Sequence, residues 1–189
     1  MKVITILGSP KKKGKTAKAL DLFEEKIVSK GGIVERIHVV DYEMNGCQGC
    51  YFCQTKEDKP NCVQNDDVLL ILKKIVAADA VIYASPIYGF DFTAQIKPLL
   101  DRHLCLVTDF ATPNMSSVIK GKRTLLLITC ADNSDDNADL VQEIFYRNFA
   151  GVLKTNIVGK YIIPFSAAPD FEERAQENAD KMVKALLHD

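Results

Sequence analysis

Val3-Ile4-Thr5-Ile6-Leu7-Gly8-Ser9-Pro10-Lys11-Lys12-Lys13-Gly14-Lys15-Thr16 is a β-branched apolar run that stops at a glycine and a proline, crosses a lysine cluster and enters a helical pattern. An apolar run without alternation reads as a strand buried on both faces. From Thr16 to about Lys30, Leu20, Phe23 and Ile27 recur at helical spacing, and Gly31-Gly32 stops the helix. The same couple of patterns recurs along the chain. Strands are expected at Ile33–Val40, Ala80–Ala84, Arg123–Thr129 and Ile157–Pro164. Asp66 is placed to cap a helix carrying Leu69, Leu72, Ile75 and Val76. A further helix is expected from about Thr93 to Leu106, with Pro98 near its start. Another runs from about Asn137 to Val152 with Leu140, Ile144 and Phe145 on one face. A last one carries Phe171, Ala175, Ala179, Met182 and Leu186.

Strict alternation of strand and helix predicts an α/β fold, a three-layer doubly wound sandwich around a five-stranded parallel sheet with right-handed crossovers. The 189 residues suit a single domain spanning 1–189, with an irregular cysteine-containing loop at about 41–65.

Composition narrows the function classes. The 24 Lys and Arg nearly cancel the 25 Asp and Glu, giving a net charge of −1, so no general nucleic-acid surface is expected. No stretch approaches the ~20 apolar residues of a membrane span. The opening MKVITILGSP lacks the long apolar region and cleavage site of a signal peptide. A cytoplasmic location with reduced thiols is the expectation for the six cysteines.

In a doubly wound sheet, ligands bind beyond the carboxyl ends of the strands, so the segments just after each strand carry the information. After the first strand, Gly8 to Thr16 offers small and hydroxyl residues, helix-start amides and positive charge, the physics of an anion site. Gly14-Lys15-Thr16 matches the end of a nucleotide-triphosphate P-loop, but Ser9 stands where that motif needs its first glycine, and Pro10 removes a backbone donor. Ser9, Lys11, Lys15, Thr16 and Ala17 are the candidate phosphate ligands. After the third strand, Ser85-Pro86-Ile87-Tyr88-Gly89-Phe90 combines a rigid turn, two aromatics and a glycine that lets backbone approach a flat ligand.

These two segments, with Gln95–Arg102 (QIKPLLDR), resemble the NADPH-dependent FMN reductase branch of the flavodoxin-like superfamily. Through the cysteines the chain is also similar to that branch's iron–sulfur flavoproteins. The resemblance covers nearly the whole chain, most specifically the first 105 or so residues. It implies a strand order of 2-1-3-4-5, an FMN phosphate on the first loop, and an isoalloxazine ring lined by Pro86, Ile87, Tyr88, Gly89 and Phe90. Thr129-Cys130-Ala131-Asp132 would flank the ring from the other side. Lys15 stands where asparagine is frequent in the family.

Cys47, Cys50 and Cys53 form two overlapping C-x-x-C steps, and Cys62 follows after eight residues. Three thiolates at that spacing can wrap one face of a [4Fe-4S] cluster with a fourth arriving from farther along the chain, as the resemblance implies. Four thiolates also suit zinc, and similar cysteines serve as plain thiols. All three readings stand at this point. Cys105 and Cys130 are expected in the core. His38, His103 and His188 suggest no catalysis. Asp132, Asp135, Asp136 and Asp139 read as a helix start.

The function implied is an FMN-dependent oxidoreductase passing electrons from NAD(P)H or a reduced protein donor to a quinone, flavin, metal or protein acceptor. The flavin performs such chemistry, so no catalytic side chain is assigned. A non-enzymatic flavodoxin-like electron carrier is the alternative, which the near-zero charge and the lysine cluster disfavour. A homodimer or homotetramer is expected, with no nucleic acid or membrane partner.

Overall fold

Three adjacent strands bury nearly every side chain, which is what continuous apolar runs require. They are β1 (Lys2–Leu7), β3 (Ala80–Pro86) and β6 (Arg123–Thr129). β2 (Ile33–His38) and β7 (Asn156–Ile163) flank them, are more exposed, and complete a five-stranded sheet ordered β2-β1-β3-β6-β7. Every neighbouring pair is parallel. The computed structural model describes residues 1–55 and 59–187.

Helices cover both faces. On one, α1 (Lys15–Ser29) packs with α5 (Phe171–Leu187), burying Leu20, Phe23 and Ile27 with Phe171, Ala175 and Met182. On the other lie α2 (Val68–Ala77), α3 (Lys97–Asp101) and α4 (Asp139–Tyr146), around Ile71, Leu72, Ile75, Leu99 and Phe145. This is the flavodoxin-like architecture expected, and the strand order reverses between β1 and β3. No helix among the described residues is long and apolar enough to cross a membrane.

Several local expectations change. The helix expected over Thr93–Leu106 shrinks to α3, followed by a 3₁₀ turn over Arg102–Leu106. Pro98 lies in the first turn of α3, where its missing N–H costs nothing, while the Thr93 hydroxyl is spent on the Gly8 carbonyl. α4 gives way to a π-helical turn at Arg147–Val152 and buries Val141 and Phe145, leaving Leu140 exposed. β2 ends at His38, and Val39–Asp41 turns as 3₁₀. A small antiparallel hairpin of β4 (Val107–Thr108) and β5 (Ser116–Ser117) was not legible in the sequence, because two-residue strands leave no alternation to read. Asp66 lies one residue ahead of the α2 cap position; its carboxylate accepts the Val68 N–H but is mainly committed to Arg102.

Candidate functional site

The carboxyl ends of β1, β3 and β6 are laced together. Gly8 donates its N–H to the Ala84 carbonyl at 2.7 Å, Ile87 donates to the Thr129 carbonyl at 3.0 Å, and the Thr16 and Thr129 hydroxyls meet at 2.6 Å. The last contact ties the start of α1 to the end of β6, so the first loop and the fourth-strand loop share one edge.

In the first loop, Lys11 donates its N–H to Ser9 Oγ at 3.1 Å and Gly14 returns an N–H to the Lys11 carbonyl at 3.3 Å. Gly14 is the cap residue of α1, and no side chain caps the helix. The first-turn amides of Lys15, Thr16 and Ala17 therefore have no helical acceptor. Uncapped amides beside lysines fit a phosphate. A Cβ on Gly14 would come within 3.2 Å of Lys11 Cβ, a tight contact that the Lys11 side chain would have to yield to. The lysines diverge: Lys12 pairs with Asp41, Lys15 Nζ sits 4.6 Å above the Phe171 ring, and Lys11 stays exposed. Ser9, Thr16 and Ala17 are buried.

After β3 the chain makes a tight turn in which Tyr88 and Asp91 exchange both backbone hydrogen bonds, at 3.1 and 3.2 Å. Its two central residues, Gly89 and Phe90, have φ of +57° and +65°. Two consecutive positive φ values define a type I′ geometry, which glycine adopts freely and phenylalanine does not. The turn holds the Tyr88 and Phe90 rings half exposed.

Opposite this turn lies the loop after β6. Ile87, Gly89 and Phe90 line a cleft of about 480 Å³ together with Cys130, Ala131, Asp132, Asn133, Asp135 and Asp136. Cys130, Ala131 and Asp132, of the segment the resemblance sets beside the ring, thus line this cleft. The acidic residues differ from expectation, since only Asp139 belongs to the first turn of α4, while Asp132, Asp135 and Asp136 face the cleft. Burial pushes the Cys130 thiol up, and its Sγ–H donates to the Asp132 carbonyl at 3.3 Å. Cys130 is buried at 3% exposure, as expected, and also lines this cleft.

The cysteines do not assemble as their spacing suggested. Cys47 and Cys50 are exposed, Cys53 is buried and Cys62 half-buried. Among the described residues, no three Cys, His, Asp or Glu side chains are set to hold a metal ion. Cys53 and Cys105 are buried in one apolar cluster, with Cys62 packed at its edge; burial pushes the Cys105 thiol up most, and the two neighbouring sulfurs add to it.

Arg102 carries a structural role that the sequence reading missed. Its guanidinium is 1% exposed, bonds Asp66 at 2.5 Å, and reaches the Asn45 carbonyl at 3.3 Å. Asp66 also accepts the Asn45 N–H at 2.9 Å, so the pair clamps both ends of the cysteine loop. Gln54 pins its middle through Nε2 to the Leu104 and Val107 carbonyls. The only signal in the sequence was an arginine at the end of an apolar helix.

The chain is similar to known proteins in sequence and in fold. A curated iron–sulfur flavoprotein of Archaeoglobus fulgidus is 40% identical over 104 residues, 55% of this chain and 46% of that protein. One of Methanocaldococcus jannaschii is 39% identical over 114 residues, covering 60% and 58% respectively. The chain matches about half the length of these relatives. Among solved structures, an NAD(P)H:quinone oxidoreductase from Methanothermobacter marburgensis superimposes with a TM-score of 0.76 at 18% identity, covering 100% of this chain and 97% of the other. An FMN-dependent NADH-azoreductase from Bacillus anthracis, solved with FMN, gives 0.72 at 13% identity, covering 98% of each. At such identities these two show the fold alone. The model of the NADPH-dependent FMN reductase family matches residues 1–169, and the chain belongs to that family.

Proposed function

We propose that the chain binds FMN across the carboxyl edge of its sheet and passes electrons from NAD(P)H to a small aromatic acceptor of the quinone class. The observation that carries this reading is the meeting, at one edge, of an uncapped basic helix start and an open aromatic cleft. The phosphate would rest on the amides of Lys15, Thr16 and Ala17, with the Ser9 hydroxyl beside them and Lys11 supplying charge. The Thr16 side chain, bonded to Thr129, positions its own amide rather than reaching outward. Pro86, Ile87, Tyr88, Gly89 and Phe90 would line the ring. FMN supplies the hydride and electron chemistry when bound, and the protein supplies position and electrostatics.

The rest follows from this chain's own groups. The type I′ turn holds Phe90 at the cleft mouth, where its ring excludes water and offers a stacking face. The cleft is open, so donor and acceptor can occupy it in turn. Asp132, Asp135 and Asp136 give the entrance negative charge, which favours neutral acceptors over anionic ones. The proposed electron path runs through the flavin alone.

Purified protein, loaded with FMN and freed of excess, tests the reading by its absorbance and by oxidation of NADH or NADPH with a benzoquinone under anaerobic conditions. Stoichiometric flavin and turnover are expected. Absence of tight FMN binding, or FMN binding with no turnover for either donor, would overturn it.

A further inference from the structure

We propose that Thr129 is a positioning residue for the flavin phosphate, acting through Thr16 to fix the first turn of α1 against the end of β6. This rests on the reading of the first loop as the phosphate site. The Thr16 and Thr129 hydroxyls meet at 2.6 Å across 113 positions of sequence, and each residue is 2% exposed. Water does not compete for such a contact, and a branched Cβ leaves each side chain few rotamers in which to drift. A helical threonine ordinarily turns its hydroxyl back to a carbonyl of the preceding turn or out to water. Thr16 instead spends its hydroxyl on another element.

Thr129 is a rigid post. It ends β6, in register with Pro86 of β3 and Ile163 of β7. Its carbonyl accepts the Ile87 N–H at 3.0 Å. The next residue, Cys130, donates its N–H to the Ile163 carbonyl at 3.2 Å and accepts the Ser166 N–H at 2.9 Å. Both neighbouring strands thus hold it, and Cys130 and Ala131, which line the cleft, follow it directly. The other end of the first loop is fixed in the same manner, since the wholly buried Thr93 donates its hydroxyl to the Gly8 carbonyl. The amides of Lys15, Thr16 and Ala17 have no helical acceptor, and donors held in place bind an anion at lower cost than donors it must order.

β6 carries a second pair of the same chemistry at its amino end. There the buried Thr124 and Thr155 hydroxyls meet at 3.0 Å. That pair joins β6 to the residue before β7, at the edge opposite the two loops. A hydroxyl that only holds the sheet together and one that also places the α1 amides can therefore be told apart on one strand.

The test titrates the full chain, freed of flavin, with FMN and with riboflavin, which lacks the phosphate, and follows the quenching of flavin fluorescence. Wild type is expected to prefer FMN. In Thr129→Val, which keeps the shape and removes the hydroxyl, FMN binding should weaken about fivefold to tenfold, the worth of one net hydrogen bond, with riboflavin binding unchanged. Thr129→Ser should restore the preference. The double variant Thr16→Val, Thr129→Val should bind FMN no more weakly than either single variant, because the two hydroxyls act as one. It replaces both partners by apolar groups of the same shape, so it keeps the test intact where a single variant fails to fold. Thr124→Val should lower the melting temperature and leave the ratio of the two affinities at its wild-type value. A wild-type ratio in Thr129→Val and in the double variant would overturn the proposal alone. So would equal weakening of FMN and riboflavin, or losses that add in the double variant. A wild-type protein that binds FMN no better than riboflavin would overturn the reading of the first loop, and the proposal with it.

Discussion

Arg102 and Asp66 form an ion pair at 2.5 Å whose side chains are 1% and 4% exposed, joining the turn after α3 to the foot of α2. Neither charge is affordable alone in that setting, and together they close the cysteine loop between Asn45 and Val68. Removing one partner strands the other, which for buried pairs costs about 3–5 kcal/mol. Arg102→Met is accordingly expected to lower the denaturation free energy by that amount. It should also speed amide exchange over residues 43–55, measured by mass spectrometry. A variant as stable as the parent would show that the pair is not the clamp.

The same carboxylate responds to acid. Desolvation pushes Asp66 up, but hydrogen bonds from Arg102 and from the Asn45 and Val68 amides outweigh it and hold it below its ordinary 3.8. Its contribution is therefore complete above the unfolded value of 3.8 and is lost as pH falls through the lower folded value. Urea midpoints of Asp66→Asn are expected to fall below the parent's at neutral pH and to converge on it as pH falls through the lowered folded value of Asp66.

His103 acts in a different window. It is wholly buried, with Nδ1–H donating to the Leu99 carbonyl at 2.7 Å and Nε2 accepting from the Tyr83 hydroxyl at 2.8 Å. Burial holds it down at about 4, against 6.5 when unfolded. The unfolded chain takes up this proton first, so stability should decline as pH falls from about 6.5 to about 4, by about 3 kcal/mol in all. His103→Gln is expected to be less stable at pH 7 yet to lose that slope. Denaturation at four pH values checks it.

Phe90 sets stability against function. Its φ of +65° costs about 1 kcal/mol that glycine would not incur. Phe90→Gly should leave the melting temperature unchanged or slightly raised. The same change removes the ring from the cleft mouth and is expected to raise KM for a quinone severalfold. A lowered melting temperature with KM unchanged would show that the ring is a packing element instead.

Charge at the cleft gives a kinetic prediction. Changing Asp132, Asp135 and Asp136 together to asparagine should lower KM for an anionic acceptor such as a quinone sulfonate by roughly threefold to tenfold at low salt. The effect should fade by about 0.5 M salt, where screening is nearly complete, and a neutral quinone should be unaffected.

Much of this was legible beforehand because it is local. Val3–Leu7, Ala80–Ala84 and Arg123–Thr129 are buried on both faces, so they read as central parallel strands without reference to partners. Glycine and proline at their ends marked the loops at the carboxyl edge of the sheet. The α3 region misled because Pro98 and the Thr93 bond to Gly8 shorten a helix that apolar spacing alone would extend.

By itself, then, the sequence determined the layered fold and the two loops that meet at the carboxyl edge of the sheet, since periodicity and punctuation are properties of neighbouring residues. Only the tertiary structure decided where the cysteines lie. Spacing grouped Cys47, Cys50, Cys53 and Cys62, but in the fold Cys47 and Cys50 are exposed while Cys53 is buried in the apolar cluster that holds Cys105, with Cys62 packed at its edge. Those contacts join residues about 40 to 50 positions apart. Long-range burial, and not local pattern, selects them, because the core closes around whichever thiols leave the fewest unpaired groups and voids.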